Sequence, residues 1–131
     1  MKVILTVENR NGMLFNHRRV SRDQKVCDRI LAYCKGQELW MNAYSGKLFD
    51  NADNIHIAED FLEHSPSICF VEDQDITPWL SGIDTIVLFR WNRDYPADFF
   101  FRTDLSSWTM TSREEFPGKS HDLITMEVYE K

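Results

Sequence analysis

Cysteine is scarce in this chain, and its three thiols follow no pattern typical of a disulfide framework or a metal site. No CxxC motif is present. Cys27 and Cys34 lie in a segment of helical periodicity, where their spacing separates them by about 10 Å along the helix axis. That distance is too long for a disulfide bond. With Cys69, they are expected to be free thiols in a reducing compartment, which favours a cytoplasmic protein.

Long apolar runs and an excess of basic charge are also missing. The N-terminal segment MKVILTVENR reaches charged residues too soon for the apolar core of a signal peptide, and no run approaches a membrane-spanning length. The net charge of -6 argues against broad binding to nucleic acids or to anionic membranes. The same net negative charge is compatible with a basic protein as a partner.

The chain lacks the short motifs that identify common enzyme classes. It contains no GxSxG, P-loop or GxGxxG sequence. His17, His56, His64 and His121 are scattered without the HxH or HExxH spacing of a metal enzyme, and we expect them on the surface or in loops. The acidic turn Glu72–Asp75 offers carboxylates to a divalent cation, but such turns are usually only solvated. The sequence therefore predicts no metal site.

The chain has enough apolar residues to form the hydrophobic core of one domain, which is predicted to span residues 1–131. It is 43% hydrophobic and 13% aromatic, and a chain of this length should bury roughly 65–70% of its unfolded surface. The predicted strands are Lys2–Val7, Glu38–Tyr44, Asn54–Asp60, Ser67–Asp73, Asp84–Trp91, Asp98–Asp104 and Asp122–Glu130. The segments Glu8–Asp23 and Asp104–Phe116 are expected to connect elements.

Helical segments alternate with the first strands. The main helix is predicted over Gln24–Cys34, with a cap at Ser21 or Asp23 and an end at Gly36. Short helical turns are expected in SGKLFDN, FLEHS and TPWLSG. This order predicts an α/β class, a three-layer αβα domain around a mixed, mostly parallel central sheet. The last two predicted strands have no helix between them, which indicates an antiparallel C-terminal edge.

The C-terminal third resembles the end of dihydrofolate reductases. The segment IDTIVLFRWNRDYPADFFFRTDLSSWTMTSREEF, followed by ITMEVYEK, is similar to that family's closing strands. The matching residues are Asp98, Phe100, Phe101, Trp108, Glu114, Glu115, Phe116, Val128 and Tyr129. Earlier, QELWMNAYSGKLF falls where the family has PVIMGRKTWESI, and the order of elements agrees along nearly the whole chain. The resemblance implies a dihydrofolate reductase-like fold.

The residues that hold the family's cofactor are changed. The family places a Gly-Gly pair after the strand that corresponds to SICFV, whereas this chain has Glu72–Asp75 there. Carboxylates at that place repel a pyrophosphate, and their bulk blocks its approach. The family's arginine for the cofactor 2′-phosphate corresponds to Ala43, and Ser45 alone keeps a hydroxyl at a helix start. No cofactor is therefore expected.

The residues that hold the family's pterin substrate are also changed. The nearest match to the substrate carboxylate is Asp23, although an ungapped count places Val26 there. The threonine that supports that carboxylate falls at Phe89, and Arg18 or Arg19 occupies the region of a conserved family tryptophan. These departures imply that the family's sites have been lost or rebuilt.

Two polar clusters remain as candidate sites. The first consists of Arg18, Arg19 and Arg22, a basic patch whose guanidinium groups can bind a phosphate or a carboxylate. The competing interpretation is a solvated loop before the helix. The second consists of Arg90, Trp91, Arg93 and Tyr95, at the end of a predicted parallel strand, with Asn9 after the first strand. Ligands of open α/β sheets bind at such ends. A hairpin with surface aromatics is the competing interpretation of this segment.

Two hypotheses for function follow. The first is a binding module of dihydrofolate reductase-like fold without reductase activity, a monomer or small homo-oligomer. It would bind a small anionic ligand through its arginines, or a basic protein through exposed aromatics such as Trp91 and Tyr95. The alternative is a reductase that uses NAD(P)H or a flavin at a rebuilt site, with Asp23 as proton donor and Ser45 near the phosphates.

Overall fold

A computed structural model describes all residues from Met1 to Lys131. Its ten strands are β1 (Lys2–Val7), β2 (Gly12–Phe15), β3 (Arg18–Arg19), β4 (Leu39–Met41), β5 (Ile55–Ile57), β6 (Ile68–Phe70), β7 (Thr85–Arg90), β8 (Phe99–Phe100), β9 (Thr109–Phe116) and β10 (Ile124–Glu130). The helices are α1 (Gln24–Cys34) and α2 (Ala43–Gly46), with 3-10 turns at Lys47–Phe49, Phe61–His64 and Thr77–Gly82. No helix is long and apolar enough to cross a membrane.

Seven strands form the central sheet in the order β5-β4-β6-β1-β7-β10-β9. The first five in this order run parallel, and β10 pairs antiparallel with both β7 and β9. A small antiparallel sheet of order β3-β2-β8 has no ladder pairing with it. The predicted α/β class, with a mostly parallel sheet and an antiparallel C-terminal edge, is confirmed.

The central strands are apolar on both faces because each face is covered. On one face, Ile4, Val87 and Phe89 pack in a cluster of 16 buried residues with the inner side of α1. On the other, Val3 and Leu5 belong to a cluster of 14 buried residues that includes Met13 and Leu14 of β2 and the 3-10 turn Phe61–His64. Burial of both faces explains why β1 and β7 have continuous apolar sequences.

Two predicted connections contain strands, so those predictions were wrong. The segment Glu8–Asp23 folds into the β2–β3 hairpin, whose tip has Asn16 and His17 at φ of 52° and 66°, the left-handed conformation of a tight hairpin turn. The segment Asp104–Phe116 contains β9, the longest strand. Conversely, Asp98–Asp104 contributes only the two residues of β8 to the small sheet.

The main helix has the predicted bounds and cap. Asp23 is its N-cap, and its side chain accepts a hydrogen bond from the Lys25 N–H. Lys35 ends the helix in the left-handed conformation, with Gly36 also at positive φ. The three cysteines are free and buried. Burial raises the pKa of Cys27 and Cys34 to about 11 and that of Cys69 to about 12, so these thiols are poor nucleophiles.

Candidate functional site

Three separate segments meet at the end of the central sheet where β1 and β7 terminate. Ser21 and Asp23 precede α1, Trp91 and Tyr95 follow β7, and His121 lies in the turn before β10. Ser21, Asp23, Tyr95 and His121 are joined by hydrogen bonds, and the Trp91 ring stacks on His121. We call these five residues the histidine cluster.

Asp23 is the buried anion of the histidine cluster, with 4% of its surface exposed. Besides Lys25 N, its carboxylate accepts hydrogen bonds from Lys119 N at 2.9 Å, Ser120 N at 2.9 Å and Ser120 Oγ at 3.1 Å. It also contacts His121 Nδ1 at 2.8 Å. Burial raises the pKa of Asp23, but these hydrogen bonds outweigh it and hold the pKa well below its usual range. The carboxylate is thus an acceptor, which does not fit the predicted role of proton donor.

His121 lies in a turn, one of the two placements predicted for the histidines, but it is buried at the centre of the histidine cluster. Because the ionised Asp23 carboxylate can only accept, the His121 Nδ1 must carry a proton. In the neutral imidazole, Nε2 is then the acceptor. It lies 2.8 Å from Ser21 Oγ and 3.1 Å from Tyr95 Oη, and these two hydroxyls are 3.3 Å apart.

Gly118 allows the turn before β10 to approach Asp23 closely. Its N–H donates to the His121 carbonyl at 2.9 Å, which closes the turn. A Cβ atom at this position would lie 2.6 Å from Asp23 Oδ2 and 2.8 Å from Ile124 Cδ1. A residue without a side chain is therefore required to bring His121 against Asp23.

Trp91 is 2% exposed and packs in the core, so it is not the exposed aromatic that the sequence predicts. Its ring stacks on the His121 imidazole, with centroids 4.8 Å apart. Its Nε1–H is buried and has no hydrogen-bond acceptor. Trp91 lines a cavity of about 10 Å³ together with Ser21, Arg22 and Asp23. An unpaired buried donor beside a hydroxyl and an imidazole is unusual and calls for an explanation.

A groove of about 350 Å³ continues from this cavity between α1 and the segment that follows α2. Arg22, Cys27 and Leu48 line both spaces. Arg22 is exposed, and Lys47 adds a second cation to the groove, which Asp28 and Asp50 also line. The groove therefore leads from solvent, past a free guanidinium, to the histidine cluster.

Arg19 and Ser45, both predicted to bind ligand, instead bind Glu72. Arg19 Nε and Nη2 contact the Glu72 carboxylate at 2.8 and 3.0 Å, and Ser45 Oγ donates to it at 2.8 Å. The guanidinium also lies 4.2 Å from the ring centroid of Tyr44. Burial first lowers the pKa of Arg19, and the hydrogen bond and charge of Glu72 reverse that effect to a net rise.

Further carboxylates surround this ion pair. Asn42 donates to Asp73 at 3.0 and 3.1 Å, and burial raises the pKa of Asp73 despite that interaction. The N–H of Ala43, at the start of α2, donates to Glu59 at 2.8 Å. The donors that the resemblance assigns to cofactor phosphates are thus occupied by acidic side chains of the chain itself.

The remaining predicted residues do not share one site. Arg90 binds Glu127 at 2.6 Å and Asn11 at 3.3 Å, on the sheet face opposite Trp91, because adjacent strand residues point to opposite faces. Asn9 donates to Asp94 at 3.0 Å. The side chains of Arg18, Arg22 and Arg93 are exposed. The segments that carry the two predicted clusters therefore meet through Ser21, which lies between Arg19 and Arg22 in the chain, and Tyr95, and not through Arg19 and Arg90.

No protein family model matches the sequence, and no curated protein matches it. A similar solved structure is "Dihydrofolate reductase from Enterococcus faecalis complexed with NADP(H)and RAB-propyl". The two chains share 8% identity with a TM-score of 0.70, over 98% of this chain and 94% of the reductase. The chain therefore has a dihydrofolate reductase-like fold, as the sequence resemblance implies.

Proposed function

We propose that this protein binds a small anionic ligand at the histidine cluster and does not act as an NADPH-dependent reductase. The observation that carries the proposal is the convergence of Ser21, Tyr95 and His121 beside the unpaired Trp91 Nε1–H. The free guanidinium of Arg22 lines the same cavity and supplies the positive charge for an anion.

The protonation pattern of the cluster supports ligand binding. A neutral His121 Nε2 has one lone pair, yet it lies within hydrogen-bonding distance of both Ser21 Oγ and Tyr95 Oη. The hydroxyl of Ser21 then donates to Tyr95 Oη at 3.3 Å, a long hydrogen bond that a ligand oxygen can replace. That hydroxyl and the indole Nε1–H of Trp91 are two donors that an oxygen-rich ligand can satisfy, which explains why a buried donor is left unpaired.

The surroundings of Glu72 support the loss of the family's cofactor. A pyrophosphate needs backbone donors and little negative charge, whereas Glu72, Asp73 and Glu59 already occupy the donors at this place. Arg19 is held by Glu72 and is not free for a phosphate. These residues do not fit a nicotinamide dinucleotide bound in the family's manner.

Thermal melting of the full chain against a ligand panel tests the proposal. The panel contains NADPH, NADP, folates, flavins, nucleotides, sugar phosphates and small carboxylates. A ligand at 100 times its dissociation constant stabilises by about 2.7 kcal/mol, a shift of several degrees. We expect a shift with a small anion and none with NADPH. Arg22→Gln should abolish the shift, whereas Arg102→Gln, an exposed cation after β8, should preserve it.

The reductase alternative predicts the opposite result. Its support is the structural similarity to a reductase whose complex contains NADP(H). It requires that NADPH raise the melting temperature and be consumed in the presence of a substrate. Such a rise, lost in Ser45→Ala, would overturn the proposal. Flat traces for every small molecule would also overturn it and leave a basic protein partner as the next candidate to test.

A further inference from the structure

We infer that Ser21 is a nucleophile, activated by His121 and Asp23, and that the protein hydrolyses a small ester or thioester with an anionic group. This inference rests on the proposed binding at the histidine cluster and adds a reaction to it. No GxSxG motif marks Ser21, so the assignment depends on geometry alone.

The three groups stand in the order that nucleophilic catalysis by serine requires. Asp23 Oδ2 is 2.8 Å from His121 Nδ1, and His121 Nε2 is 2.8 Å from Ser21 Oγ. Both distances are within the range of about 2.6–3.2 Å expected for a nucleophile, its base and the group that orients the base. The buried carboxylate fixes the tautomer in which Nε2 can take the serine proton.

A donor for the developing oxyanion lies in the same cavity. Attack on a carbonyl moves negative charge to its oxygen, and buried preorganised donors stabilise that charge. Trp91, whose Nε1–H is buried and has no acceptor, lines the cavity that Ser21 also lines. Tyr95 Oη, 3.3 Å from Ser21 Oγ, is positioned as a second donor.

Substrate can reach Ser21 from the solvent side. Ser21 is half-buried, while Asp23 and His121 behind it are buried. The adjoining groove, with Arg22 at the junction and Lys47 farther along, receives the remainder of the substrate. The arginine favours an anionic substituent close to the reacting carbonyl.

The reaction balances with water as the co-reactant. Ser21 Oγ attacks the carbonyl carbon while its proton passes to His121 Nε2, and the carbonyl electron pair moves to oxygen. The tetrahedral intermediate then expels the alcohol or thiol, which takes the proton from Nε2, and an ester of Ser21 remains. Water attacks this ester, gives a proton to Nε2, and the carboxylic acid leaves as Ser21 Oγ recovers that proton.

A purely structural role predicts different behaviour. If the hydrogen bonds only hold the start of α1 to the turn before β10, Ser21 should react no faster than the exposed serines of the chain. Its reactivity would then not depend on His121. Chemical labelling therefore separates the two roles, whereas stability measurements alone do not.

The test is labelling of the full-length protein with a fluorophosphonate, located by intact mass and peptide mapping, together with hydrolysis of p-nitrophenyl acetate. We expect one adduct, on Ser21, and a hydrolysis rate that falls at least about 100-fold in Ser21→Ala and in His121→Gln. Ser107→Ala, which removes an exposed hydroxyl outside the cluster, should leave both readouts unchanged.

Ser21→Cys tests the same position in a second way, which can be used if Ser21→Ala fails to fold. The introduced thiol should be alkylated by iodoacetamide with a pH profile displaced to lower pH, and His121→Gln should abolish that displacement. The native cysteines have raised pKa values and should react slowly. An anion-induced melting shift without an adduct on Ser21 would overturn the nucleophile and retain binding. Absence of both would overturn both proposals.

Discussion

Ser21 Oγ and His121 Nε2 lie 2.8 Å apart, although one hundred residues separate them in the chain. The contact joins the segment before α1 to the turn before β10, and the Asp23–His121 hydrogen bond reinforces it. The cluster therefore stabilises the fold at the same place where it presents a hydroxyl to solvent. Each variant in the cluster must be measured for stability as well as for function.

Asp23→Asn should lower the free energy of unfolding by about 2–4 kcal/mol at pH 7, because it removes a buried charged acceptor and places an amide NH2 where Ser120 N and His121 Nδ1 donate. Urea unfolding monitored by circular dichroism gives this value. Asp28→Asn is the matched control, since the exposed Asp28 carboxylate accepts one hydrogen bond, from Gln24. We expect it to change stability by less than about 0.5 kcal/mol.

The effect of Asp23→Asn should depend on pH in a defined direction. The pKa of Asp23 is lower in the folded state than its usual value of about 4. Its stabilising contribution is therefore complete above pH about 4 and is lost as the pH falls towards the folded-state pKa. Urea titrations between pH 3 and 7 should show the difference between wild type and variant shrinking below pH about 4. A constant difference would contradict the lowered pKa.

Gly118→Ala should destabilise the protein by about 1–3 kcal/mol, because the new methyl group would overlap Asp23 Oδ2 and Ile124 Cδ1. Gly82→Ala is the control, since a Cβ there meets nothing within 4 Å. That variant should be neutral or slightly stabilising. Equal stability of the two variants would show that the turn does not need the close approach.

Arg19 and Glu72 should show a large coupling energy in a double-mutant cycle. Their side chains are 17% and 3% exposed, so either single variant leaves a poorly solvated charge without its partner. We expect Arg19→Met and Glu72→Gln each to cost about 3 kcal/mol, and the double variant to recover about 1–3 kcal/mol relative to their sum. Chemical denaturation of all four proteins measures these values.

The exposed pair Arg113–Glu115 provides the comparison for that cycle, with side chains 51% and 42% exposed. Its coupling should stay below about 1 kcal/mol. Additive effects of Arg19 and Glu72 would mean that the ion pair does not hold the β3 hairpin to the end of β6. They would also weaken the argument that this ion pair displaces a cofactor phosphate.

The elements that could be predicted are those with a strong local pattern. KVILTV and DTIVLFRW are apolar runs of strand length, and α1 has both helical periodicity and a capping aspartate, so their predicted positions were correct. The strand β9 was missed because seven of its eight residues are exposed, which leaves no alternation of apolar and polar residues. The β2–β3 hairpin was missed because non-glycine residues Asn16 and His17 form its turn.

The site was predicted in part for a similar reason. Asp23, Trp91 and Tyr95 adjoin predicted elements. They were expected to lie near one another because the ends of parallel strands meet at one edge of the sheet. His121 is 98 residues from Asp23, and no local pattern marks such a contact. Arg19 was predicted to bind the phosphate or carboxylate of a ligand, whereas it binds the carboxylate of Glu72 in the same chain. A single sequence does not show which charges pair internally.

Trp91→Phe tests whether the unpaired indole donor is retained for a ligand. Loss of the larger ring should destabilise the core, but removal of a buried N–H without an acceptor should return about 1–3 kcal/mol. We therefore expect a net change within about 1 kcal/mol in urea unfolding, far below the roughly 3–5 kcal/mol typical of truncating a buried aromatic to alanine. The anion-induced melting shift should nevertheless fall sharply in the same variant. A loss above about 3 kcal/mol would mean that Nε1 has a partner, such as a bound water, in the free protein. Near-neutral stability with lost ligand binding would instead show that the donor is kept unpaired for the ligand.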